Sequence, residues 1–104
     1  MAGPGEYDID GVVPASGQLS LSGGPGARGR TWRVMQVSIE MTSAPLGSYA
    51  QLTKAGRLIS PMLTTDVAGS GPPVYLRGTE TLVVTWYSVT PALIGRLKLI
   101  YDEV

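Results

Sequence analysis

The sequence predicts an all-β protein, a single antiparallel β-sandwich or jelly roll of seven or eight short strands. Three observations predict it. Apolar residues recur at every second position through 31–41, 81–87 and 95–102. Turns rich in Gly and Pro separate these runs. No stretch carries the 3.6-residue periodicity, with caps, that marks a helix. Alternation needs one face of every strand covered, and two packed sheets do that.

Element by element, residues 1–17 hold Gly and Pro at close intervals and only Ile9, Val12 and Val13 as candidates for burial. They read as an extended arm, leaving 18–104 as the sandwich. "QLSLS" is a short strand with Leu19 and Leu21 on one face. "TWRVMQVSIEM" places Met35, Val37, Ile39 and Met41 on one side, with Gln36, Ser38 and Glu40 on the other. "SYAQLTK" and "RLISPML" form a hairpin turning at Ala55-Gly56, and Pro61 puts the second arm at a sheet edge or ends it early. "TTDVAGSGPP" reads as a loop. "VYLRG" then leads into "TLVVTWY", with Leu82, Val84 and Trp86 inward and Tyr87 outward. "IGRLKLIYDE" sets Leu97, Leu99 and Tyr101 against Arg96, Lys98 and Asp102.

Composition narrows the chemistry. The 104 residues contain no Cys, His, Phe or Asn. A disulfide framework, a thiolate zinc site and histidine-based acid–base catalysis are therefore out of reach. No apolar run approaches the ~20 residues that span a bilayer, and the N-terminal residues lack the basic start and apolar stretch of a secretory signal.

Net charge is zero, yet the charges are segregated. Residues 1–10 hold Glu6, Asp8 and Asp10 without a base, and the last three hold Asp102 and Glu103. All eight basic residues lie between, against Glu40, Asp66 and Glu80, so the body is +5 (8 minus 3) and the ends −3 and −2. Nucleic-acid binding calls for a basic surface not neutralised in this way. The pattern suits a protein that docks its own ends, or its neighbour's.

"GPGARGRT", Gly24 to Thr31, has the spacing of a dinucleotide turn and nearly that of a phosphate loop. Both need a helix to follow, whose N-terminus holds the anion, and here a strand follows. The stretch reads as a flexible loop whose Arg28, Arg30 and Arg33 make it the most basic feature of the chain. Asp8 and Asp10 are a fragment of a calcium loop without its third acid, and an acidic tail is the simpler reading. Glu40, Asp66 and Glu80 are too scattered to serve as a paired-carboxylate site. Trp32, Trp86, Tyr49, Tyr75, Tyr87 and Tyr101 raise the question of a sugar platform, but with Trp86 inward and Tyr87 outward the simpler reading is core plus one exposed ring. Neither a catalytic site nor a cofactor is expected.

The order of a glycine-rich arm, "RTWRVMQVSIEM", a Gly/Pro loop and "GTETLVVTWYSVTPALIGRLKLIYDE" resembles small β-sandwich proteins from the virions of tailed bacteriophages. These include capsid decoration and head-fibre proteins. The resemblance covers about residues 18–103 and carries no residue-level assignment. It implies a non-enzymatic structural role at the capsid surface, most often as a trimer, with the major capsid protein or another virion protein as partner. The protein would be made in the host cytoplasm, with no membrane or nucleic acid engaged. The alternative is a receptor- or carbohydrate-binding module of a tail fibre or baseplate.

Within that frame the arm has two readings. Tyr7 and Ile9 dock on a neighbour or on the shell, bringing Glu6, Asp8 and Asp10 toward Arg28, Arg30 and Arg33; or residues 1–15 are a solvated tail. Fully extended, fifteen residues reach about 50 Å.

Overall fold

The computed structural model describes residues 4–42, 45–59 and 67–104, the side chains of Pro4 and 67–72 excepted. Eight strands run β1 (Pro4–Val12), β2 (Leu19–Gly23), β3 (Thr31–Met41), β4 (Tyr49–Lys54), β5 (Arg57–Leu58), β6 (Val67–Arg77), β7 (Leu82–Tyr87) and β8 (Ile94–Glu103). They form two antiparallel four-stranded sheets, ordered β1-β8-β3-β6 and β2-β7-β4-β5. The predicted all-β sandwich is the observed fold.

The core follows the alternation. Leu19 and Leu21 of β2, Leu82, Val84 and Trp86 of β7, and Ala50 of β4 face Leu97 and Leu99 of β8, Val34, Ile39 and Met41 of β3 and Leu76 of β6. The largest fully buried side chains among these are Trp86, Ile39, Leu76, Leu82, Leu97, Leu99, Val34 and Val84. Each such side chain contributes about 1.5–3 kcal/mol relative to exposure. The Ala55-Gly56 turn closes the β4–β5 hairpin with both residues at positive φ (49° and 82°), as a two-residue turn matched to strand twist requires. Beyond Ile59 the expected second arm, with Pro61, lies outside the described residues.

Three expectations are corrected. The first is the arm. Residues 4–12 are not a separate segment before the sandwich but its outer strand, paired with β8 from Pro4↔Asp102 to Val12↔Ile94. Tyr7 and Ile9 pack on the core, and Val13 beyond the strand is buried, whereas Val12 is exposed. Gly5 belongs to the strand because of close approach: a Cβ there would sit 2.5 Å from Cζ of Tyr101. The dense Gly and Pro that suggested a loose arm are thus partly a packing requirement.

The second correction is the phase of β3. Its register shifts between Val34 and Gln36 against both neighbours, a β-bulge. Trp32 and Val34 therefore point inward before the bulge, and Ile39 and Met41 after it, while Met35 is turned out to 39 % exposure.

The third is the loop expected over 64–73. Residues 67–73 belong to β6, which pairs with β3 from Val67 to Ala68, Gly69 and Ser70, and again from Val74 to Arg77; residues 64–66 lie outside the described ones. β6 is an edge strand, where proline is tolerated because one side needs no ladder donor. The irregularity between Ser70 and Val74 absorbs Pro72 and Pro73.

Candidate interaction surfaces

Antiparallel pairing of β1 with β8 places the acidic N-terminal segment beside basic groups of the chain's own last strand. Glu6 lies 3.0 Å from the Lys98 ammonium, and Asp10 lies 4.0 Å from the Arg96 guanidinium. Asp8 is opposite Lys98 in the ladder. The acidic C-terminal end reaches the glycine loop and β3 instead. Arg30 donates from Nε and Nη2 to the two carboxylate oxygens of Glu103, at 2.6 and 2.5 Å, and Arg33 Nη2 donates to Asp102 at 2.6 Å. The sequence expectation that Glu6, Asp8 and Asp10 meet Arg28, Arg30 and Arg33 is thus replaced by two internal sets. The loop arginines belong to the C-terminal acids, the N-terminal acids belong to β8, and Arg28 stands exposed. The signal that points to this arrangement is the matched alternation of "EYDID" and "RLKLI", opposite in sign at alternate positions.

These pairs shift titration in the expected directions. The hydrogen bond to Glu103 holds Arg30 above its ordinary value, and the hydrogen bonds to Asp102 and then Tyr75 do the same for Arg33. The hydrogen bond from Lys98 to Glu6 raises the ammonium, and the one from Arg30 pushes Glu103 below the usual carboxylate range.

Behind the pairs, where β1 and β2 come together, the inner residues are aromatic. Trp32 stacks on Tyr101 with centroids 3.8 Å apart and planes 10° from parallel. Tyr7 is tilted against Trp32 at 5.8 Å, and its hydroxyl donates to the Ser22 carbonyl at 2.9 Å, joining the two sheets. These three rings and Trp86 are structural. Tyr75 lies on the outside of the first sheet, with the Arg77 guanidinium 5.9 Å from its ring centre.

The two outer faces differ sharply in chemistry. By register, the outer face of β1-β8-β3-β6 carries Glu6, Asp8, Asp10, Arg96, Lys98, Asp102, Arg33, Glu40 and Arg77. Opposite signs neighbour each other in rows such as Asp10–Arg96–Glu40. A shallow groove of about 370 Å³ beside Asp8, Ile9, Asp10 and Arg96 runs along its β1 edge. On β2-β7-β4-β5 the outward strand positions are Ser20, Ser22, Val83, Thr85, Tyr87, Tyr49, Gln51, Thr53 and Leu58, none of them charged among the described residues. Tyr49 and Tyr87 form a cross-strand pair with rings stacked at 4.9 Å and 20°, and the Ser20 and Thr85 hydroxyls lie 2.9 Å apart in a hydrogen bond. Tyr49 was not separable from core by sequence, because its strand lacks clear alternation.

The remaining motifs fall into ordinary places. Gly24–Thr31 crosses between the sheets and runs into β3, with Gly26 and Gly29 at positive φ. Among the described residues no three acidic, histidine or cysteine groups converge as a metal site. Glu80 accepts from the Arg77 backbone N–H at 2.8 Å in the turn before β7, Glu40 lies on the outer charged face, and Asp66 is outside the described residues.

The fold and its surfaces define a small two-sheet β-sandwich with one charged and one uncharged outer face. No family model matches the chain, and no curated protein matches it. Among solved structures, it is similar to the crystal structure of FLHE, with a TM-score of 0.55 and 17 % identity over 95 % of this chain and 97 % of that one. At that identity the likeness is one of fold.

Proposed function

We propose that this chain is a non-enzymatic structural protein of the kind its sequence resembles, a decoration protein that seats on the head of a tailed phage. The observation that supports the reading is the charge mosaic on the outer face of β1-β8-β3-β6. Both signs are fixed there at strand register, from Asp10–Arg96–Glu40 to Asp102–Arg33. Such a face selects a partner carrying the inverse pattern, and electrostatic complementarity of this type sets orientation and encounter rate more than raw affinity. Because the acidic ends are already engaged within the chain, the seat is the sheet face rather than a free arm. The homotrimer and the major capsid protein as partner belong to the same reading.

The test is reconstitution on particles lacking the protein. Many copies should bind per head, and binding should weaken as salt rises and be lost in Arg96→Glu/Lys98→Glu. Binding confined to a few copies at the tail, or unchanged by the double substitution, contradicts the proposal.

A further inference from the structure

We propose that the outer face of the β2-β7-β4-β5 sheet binds a neutral oligosaccharide. Such binding is independent of where the protein is mounted.

Charge is the first reason. Charged side chains crowd the other outer face, yet the outward positions of these four strands hold only Ser, Thr, Gln, Tyr, Val and Leu among the described residues. A face of that composition has no ion pair to offer an acidic polymer or a charged peptide. Its polar groups are of the two-way kind: hydroxyls of Ser20, Ser22, Thr53 and Thr85 and the amide of Gln51 both donate and accept. Sugar hydroxyls also do both, so either orientation finds a partner. Ser20 and Thr85 use one proton between them in their 2.9 Å hydrogen bond and keep the remaining capacity.

The tyrosines are the second reason. Tyr49 and Tyr87 stand against each other at 4.9 Å as one aromatic wall at the edge of this polar field. Gln51 and Thr85 lie two residues along the same strands, about 7 Å away. The electron-rich ring face attracts the slightly positive C–H face of a pyranose. Stacking covers one face of each tyrosine, so a sugar packs on the remaining aromatic surface, and Gln51 and Thr85 are the neighbouring polar groups for its hydroxyls. Ligand sites commonly combine an aromatic lining with a few placed polar groups.

Size decides against a second copy. Six residues of strand by three strand spacings make a face of about 300 Å². A stable protein interface buries about 800 Å² per partner.

Affinity electrophoresis of the full chain through gels containing dextran, glucomannan, hydroxyethylcellulose or arabinogalactan tests this, with the acidic polymer alginate alongside. The expected result is retardation by at least one neutral polymer and not by alginate. Tyr87→Ala and Tyr49→Ala should each weaken it about tenfold or more. Gln51→Ala, half-exposed and outside the core, should weaken it with the circular dichroism spectrum unchanged, and Asp8→Asn should have no effect. No retardation by any neutral polymer, equal retardation by alginate, or full binding by Gln51→Ala and both tyrosine variants overturns the proposal. So does a dimer in light scattering that Thr85→Glu dissociates, which would give the face to a second copy. Binding of Tyr87→Ala to particles separates this outcome from that of the head-decoration reading.

Discussion

Tyr101 lies flat against Trp32, ring centroids 3.8 Å apart, and its phenol end covers Gly5 on the neighbouring strand. One ring thus joins β1, β8 and β3. The arrangement predicts that Gly5→Ala, a conservative change in a real arm, destabilises the whole protein by about 1–3 kcal/mol, the usual cost of overpacking. Tyr101→Leu should recover part of that loss in the double variant. Urea unfolding followed by tryptophan fluorescence reads both, and a Gly5→Ala protein as stable as wild type would contradict the contact.

The two methionines of β3 should behave oppositely. Met41 is 3 % exposed and Met35 39 %. Met41→Ala is expected to cost about 2–5 kcal/mol as a buried truncation, and Met35→Ala about 0.5 kcal/mol or less as a surface change. Denaturant midpoints decide. Equal losses would place Met35 in the core and remove the bulge.

Acid should weaken the clamp between the glycine loop and the C-terminal strand. Glu103 is held below its ordinary value by the hydrogen bond from Arg30. Its contribution is therefore complete above the usual glutamate value of about 4.3 and is lost as pH falls through the lowered one. Lys98, raised by Glu6, contributes fully below its ordinary value and loses that contribution as pH rises through the raised one. The stability difference between wild type and Glu103→Gln should therefore shrink as pH falls from 5 toward 2, measured by urea unfolding. A difference that is constant over that range would assign it to packing rather than charge.

The strands with plain alternation were legible in the sequence. Leu82, Val84 and Trp86, and likewise Leu97 and Leu99, are fully buried where period two places them. What escaped had physical causes. A bulge resets the phase of β3 without any residue that announces it, so Trp32 and Val34 replace Met35 inside. An edge strand accepts Pro72 and Pro73, so composition alone misreads β6 as a loop. In β1, Gly5 signals a covering ring rather than freedom, and only the partner strand reveals that.

The candidate surfaces were half legible. That the charged ends dock was readable from charge segregation, but which arginines they meet depends on register. Glu103 and Asp102 reach Arg30 and Arg33 because β8 lies beside β3, a non-local pairing. The Tyr49–Tyr87 pair needed the neighbouring of β4 and β7.

The acidic N-terminal segment is an integral strand of its own chain, paired along its length with β8. Amide hydrogen exchange, followed residue by residue at low protein concentration, tests this most directly. The β1–β8 ladder predicts that alternate amides between Gly5 and Val12 are protected, that Lys98→Glu lowers that protection, and that dilution does not. Exchange of residues 5–12 at the rate of an unstructured chain, or protection that disappears on dilution, would contradict it.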